Sequence, residues 1–211
     1  MTKIIQEVVA IIDRSGSMAG KEDDTIGGIN STLEVLKNDK EKDTEILVSI
    51  KLFDHEETML IRSMSLDKVN PIKKTQFVPR GQTALLDAIG NTLTYFMEKK
   101  LMNPTAYNYC TVYVATDGLE NCSKLYTREK IKGLIETAEK SYGIKLVYLA
   151  ANQDAILEAS KYGISGDQAI NYSESKETVE AAYRSAGNMV KRHRTGQHVG
   201  FTQQERMTSS T

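Results

Sequence analysis

Two cysteines, three histidines and no long apolar run remove several function classes before any motif is read. Cys110 lies in an apolar run and Cys122 in a polar segment, so they make neither a disulfide framework nor a Cys-x-x-Cys metal pair. His55, His193 and His198 lack the spacing of a shared metal site; His55 reads as a hairpin residue. Nothing approaches the ~20 apolar residues of a membrane span. Residues 1–7 lack the apolar stretch and cleavage site of a secretory signal. With reduced thiols, the expectation is a cytoplasmic protein. The charge is also without bias: 27 Lys and Arg face 28 Asp and Glu, which leaves no field for nucleic acid or an anionic membrane. A Gly-x-x-x-x-Gly-Lys-Ser/Thr phosphate loop is missing, which disfavours an NTPase. With no internal repeat or low-complexity linker, the 211 residues read as one domain, 1–193, followed by a polar, flexible tail, 194–211.

Short β-rich runs alternate with longer helical patterns, the habit of a mostly parallel sheet covered by helices on both faces. Val8-Val9-Ala10-Ile11-Ile12 is apolar throughout, as a central strand buried on both sides requires, and it ends on Asp13. Ile26, Ile29, Leu33 and Leu36 then mark one face of a helix, in which Gly27-Gly28 permits close packing or a kink. Segments 46–53 and 58–61 flank Asp54-His55-Glu56 and read as a hairpin with an antiparallel edge strand. Residues 62–80, with Pro71 and Pro79, read as a long loop. Leu85, Ile89, Leu93 and Phe96 predict a helix, and 111–115 a buried strand running into Thr116-Asp117-Gly118. A helix capped by Thr127 and closed by Gly143, a strand at 146–150, a short helix from Asn152 or Asp154, and a strand at 169–172 follow. The last helix begins near Ser173 or Ser175, and Lys191-Arg192-His193-Arg194 at its end meets the negative pole of the helix dipole. The fold class expected is α/β, a doubly wound six-stranded sheet with one antiparallel edge strand.

Two buried strands thus end on aspartates, Asp13 and Asp117, and open α/β sheets bind ligands outside the carboxyl ends of their strands. Ser15 and Ser17 follow Asp13 in a turn containing Gly16, and Thr83 stands where the long loop meets a helix start. Individually these are ordinary turn and cap residues. Their order, Asp-x-Ser-x-Ser after one strand, Gly-x-Thr opening a helix, Thr-Asp-Gly after another strand, is far more specific. Carboxylates and hydroxyls are hard donors suited to Mg²⁺, Ca²⁺ or Mn²⁺. Two aspartates balance a divalent charge and leave the ion able to attract an outside carboxylate. Glu120 and Asn121, on the rim, read as solvated loop residues, with a part in partner choice as the alternative.

Asp13-Arg14-Ser15-Gly16-Ser17-Met18, Thr83 and Asp117-Gly118 resemble the metal-ion-dependent adhesion site of the von Willebrand factor type A domain family, over residues 5–190. The resemblance implies that Ser15, Ser17 and Thr83 touch the ion in at least one state, while Asp13 and Asp117 act partly through water. It also implies that a protein partner's Glu or Asp fills the open position. The expected function is a non-enzymatic, Mg²⁺-dependent protein-binding module. The alternative is a Mg²⁺-dependent phosphohydrolase with Asp13 as nucleophile, although Ser15 stands where such enzymes want a second acid. In a third reading the ion only stabilises the strand-end loops.

Overall fold

The computed structural model describes residues 3–39, 43–151 and 154–211. Its centre is a six-stranded sheet in the order β3-β2-β1-β4-β5-β6, formed by β1 (Ile4–Asp13), β2 (Thr44–Phe53), β3 (Glu57–Ser65), β4 (Tyr109–Thr116), β5 (Ile144–Ala151) and β6 (Ala169–Tyr172). Every neighbouring pair is parallel except β2 and β3, which form the hairpin at one edge. The helices are α1 (Glu22–Asn38), α2 (Leu85–Met102), α3 (Arg128–Tyr142), α4 (Ala155–Lys161), α5 (Lys176–Arg194) and α6 (Gln203–Ser210). No helix among the described residues is long and apolar enough to cross a membrane.

The period of two along β1 divides the core. Val8, Ala10 and Ile12 face one apolar layer, with α1 and α5 residues such as Ile29, Leu33, Tyr183 and Met189. Val9 and Ile11 face the other, with Leu85, Ile89 and Phe96 of α2 and Ile131 and Ile135 of α3. A strand apolar at every position is what a sheet covered on both faces demands. Within the first layer α1 and α5 approach closely. A Cβ on Gly28 would lie 2.6 Å from Cδ2 of Tyr183, so the glycine is what lets that ring lie against the helix backbone. Of the Gly27-Gly28 pair, Gly28 makes the close approach.

Chain direction reverses about β1. After β1 the chain passes through α1 to β2 on one side; after β4 it passes through α3 to β5 on the other. The carboxyl ends of β1 and β4 therefore border a crevice, the topological switch point of a doubly wound sheet. Thr127 caps α3 and Gly143 closes it in the left-handed region, while Asp154 caps α4 and Ser175 caps α5. Asn152, the other candidate start for α4, lies outside the described residues.

Three expectations are corrected. Residues 62–80 are not wholly loop: β3 continues to Ser65 through an irregular register, and Leu66, Val69, Ile72 and Phe77 are buried against the α1/α5 layer. The cations ending α5 do more than meet a dipole. Arg194 is buried and donates to Gln6 Oε1 (2.8 Å) and Asp39 Oδ2 (2.5 Å), and Arg192 pairs with Glu205. Lastly, the segment read as a flexible tail carries α6. Thr202 and Glu205 form a capping box, Phe201 is buried, and Arg206 donates to the carbonyl oxygens of Ala169 (2.7 Å) and Gly166 (2.9 Å). Ser209 Oγ donates to the Asn171 carbonyl, so α6 covers the outer edge of β6.

Candidate metal centre

Asp13, the last residue of β1, is fully buried, and both its oxygens are occupied. Oδ1 accepts from the Ser15 backbone N–H (2.6 Å), which folds the chain into the turn that follows; Oδ2 accepts from the Thr116 hydroxyl at the end of β4 (2.6 Å). The Ser15 and Ser17 hydroxyl oxygens stand 3.1 Å apart, and Ser17 Oγ donates to Asp117 Oδ1 (2.6 Å). Thr83 faces the same point. A Cβ built on Gly118 would lie 3.2 Å from Thr83 Oγ1, 3.5 Å from Ser17 Oγ and 3.6 Å from Asp13 Oδ2. All five residues singled out by sequence thus converge on one spot at the switch crevice, and Gly118 keeps it open.

Thr83 is held there by neighbours whose role the sequence did not reveal. Its N–H donates to Asn121 Oδ1 (2.9 Å) and its carbonyl accepts from the Asn121 N–H (3.1 Å). Glu120 accepts from the N–H of Leu86, in the first turn of α2, and from the N–H groups of Cys122 and Ser123. In return Asp87 of α2 accepts from the N–H groups of Lys124, Leu125 and Tyr126. The reading of Glu120 and Asn121 as solvated loop residues is therefore corrected: they tie residues 117–126 to the start of α2. The opposite wall is tied by Arg80 N–H to the Arg14 carbonyl (2.8 Å) and Gly16 N–H to the Gly81 carbonyl (3.1 Å).

Gly81 has φ of 68°, and a Cβ there would lie 2.1 Å from His55 Nδ1, so the hairpin packs directly on this loop. Asp54, His55 and Glu56 form a second cluster of potential ligands. Its carboxylates are already neutralised: Asp54 Oδ2 accepts from Arg14 (2.7 Å) and Arg80 (3.0 Å), and Glu56 from Arg80 (2.5 Å). That cluster is an ion-paired brace, and His55 is its hairpin residue.

No family model and no curated protein matches the chain. Solved structures do match its fold. The proximal thread matrix protein 1 of the mussel byssus superposes with a TM-score of 0.62 at 15% identity, covering 89% of this chain and 46% of that one. The von Willebrand factor domain of the type V pili tip protein Mfa5 from Porphyromonas gingivalis gives a TM-score of 0.62 at 12% identity, covering 97% of this chain and 100% of that one. The chain folds as a von Willebrand factor type A domain. The pilus adhesin SpaC of Lactobacillus rhamnosus GG, open conformation, is a further match with a TM-score of 0.63 at 12% identity, over 90% of this chain and 30% of that one. This chain thus spans under half of the mussel protein and under a third of the adhesin. A structure of the mussel protein has zinc in its metal-ion-dependent adhesion site.

In this fold the five side chains offer only carboxylate and hydroxyl oxygen, the donor chemistry of a hard divalent cation. Burial raises the Asp13 carboxyl from 3.8 to about 6, against hydrogen bonds from Thr116 and Ser15 that lower it, and the Asp117 charge adds to the rise. Lys21 stands at the rim, with Nζ 2.6 Å from Asp117 Oδ2 and 2.5 Å from Glu174 Oε1. Partial burial opposes its charge, but the bonds to Asp117 and Glu174 outweigh that and raise its pKa.

Proposed function

We propose that this type A domain is a metal-dependent, non-enzymatic protein-binding module. Asp13, Ser15, Ser17, Thr83 and Asp117 hold a divalent ion, Mg²⁺ first, with Mn²⁺ and Ca²⁺ as alternatives. A Glu or Asp of a protein partner completes its coordination. The observation that carries this reading is the convergence of three hydroxyls and two carboxylates around the open space beside Gly118. Two acidic charges against a divalent ion leave the site with no net charge, so a further carboxylate entering an open coordination position meets no net repulsion. The adhesion and matrix proteins that share the fold, one of them with zinc in its adhesion site, support the coarser statement of a metal-dependent adhesion module.

A phosphohydrolase with Asp13 as nucleophile is disfavoured by the site. Asp13 is fully buried, each of its oxygens accepts a hydrogen bond, and residue 15 is a serine rather than a second acid. Calorimetric titration of the chelated protein with Mg²⁺, Mn²⁺, Ca²⁺ and Zn²⁺ tests the metal part. One ion per chain is expected, lost in Asp117→Ala and weakened in Thr83→Ala, with circular dichroism unchanged. Binding indifferent to both substitutions would place the ion elsewhere. For partner docking, the expectation is a captured protein that is released by chelation, by Asp117→Ala, and by neutralising one acidic side chain on the partner. Capture that persists through all three sinks the docking model.

A further inference from the structure

The Asp117 side chain is 3% exposed, so its charge requires a counter-charge, and Lys21 supplies one with its own side chain 30% exposed. Lys21 is the residue immediately before α1. From there its ammonium reaches across the switch crevice to Asp117 Oδ2, at 2.6 Å, while Ser17 holds Oδ1. Its second partner, Glu174 at 2.5 Å, lies outside the five-residue constellation, between β6 and α5. A cavity of about 20 Å³, with space for about one water, is lined by Lys21, Glu174, Asp24 and Tyr172, among others.

A monovalent cation on a tether and a divalent ion cannot both lie against one buried carboxylate without strong repulsion, because like charges a few ångströms apart interact strongly where water is excluded. The geometry points to Lys21 as a built-in competitor for the metal ion, which shields Asp117 and withdraws to Glu174 when the ion takes that carboxylate. This inference rests on the metal site proposed above and adds a control on its affinity. Lys21 lowers the affinity; Glu174 raises it by giving the displaced ammonium a partner. The domain then loads with metal only above a threshold concentration, and below it Asp117 keeps the ammonium as its counter-charge.

The two residues are distinguished by the opposite sign of their effects. Titration of the full chain and its variants with Mg²⁺ alone and with Mn²⁺ alone should give tighter binding in Lys21→Met, by about tenfold or more. Glu174→Gln should bind about two- to fivefold more weakly, since Glu174 is 45% exposed and its pairing is screened. As a second readout, the gain in melting temperature between chelated and metal-saturated protein should widen in Lys21→Met, with the chelated variant melting below chelated wild type. Wild type that binds the ion while Lys21→Met binds it equally or less tightly overturns the competitor role and leaves the metal site standing. Failure of wild type and both variants to bind any ion overturns the metal site itself, and the competitor with it.

Discussion

Thr116→Val isolates the bond that joins the two aspartate-bearing strands. The substitution keeps the shape of a fully buried side chain and removes a hydroxyl donating to Asp13 Oδ2 at 2.6 Å. A hydrogen bond to a buried carboxylate contributes about 1.5–3 kcal/mol, against about 1 kcal/mol for a neutral acceptor. The cost should therefore depend on the charge of Asp13. Its folded-state pKa, about 6, lies above the reference value of 3.8, so ionising it in the folded protein costs stability. That cost is absent below about pH 4, grows between about pH 4 and 6, and reaches about 3 kcal/mol above that range. In chelator, urea unfolding of wild type should show this loss as pH rises. Thr116→Val should add about 1 kcal/mol of destabilisation near pH 4 and about 2 kcal/mol near pH 7.5, because the lost bond was holding Asp13 in its charged form. Saturating metal should recover more stability at the higher pH in both proteins. A Thr116→Val penalty that stays flat across this range, or falls below about 0.5 kcal/mol at pH 7.5, would refute the view that Thr116 supports a charged Asp13.

Gly118→Val should abolish metal binding without unfolding the protein, since the new side chain meets Thr83 Oγ1 at 3.2 Å; calorimetry beside a thermal melt checks both halves. Gly28→Ala should cost about 1–3 kcal/mol in urea unfolding, because its Cβ would lie 2.6 Å from the Tyr183 ring in a packed layer. Arg194→Ala leaves Asp39 without its closest cation and Gln6 Oε1 without its donor, and should cost about 3–5 kcal/mol in the same assay. Truncation after Gly200 removes Phe201 and α6 and strips the covering bonds from the carbonyls of Ala169 and Asn171. Hydrogen exchange should then accelerate in β6 while β1 and β4 stay protected.

What the sequence alone determined is the order of elements and the place where they converge. Apolar runs long enough for buried strands, helical spacing between them and capping residues such as Thr127, Asp154 and Ser175 are local signals, and each is readable because a strand or helix carries its own period. The strand ends at Asp13 and Asp117, together with Ser15, Ser17 and Thr83, were legible for the same reason, since the residues that would bind an ion cluster in short motifs. Tertiary structure decided which atoms meet. Thr116 on Asp13, Lys21 on Asp117 and Gln6 on Arg194 join residues 103, 96 and 188 positions apart, and no local period encodes such pairings. Glu120 and Asn121 look like solvated loop because their partners are backbone groups of α2 and Thr83, which any residue type would offer. The polar composition past residue 194 looks like a tail because short-range pattern counts apolar residues. There Arg206, Glu205 and Ser209 anchor a helix through polar bonds to β6 and α5, and polar bonds of that kind depend on where the partner lies rather than on the segment's own sequence.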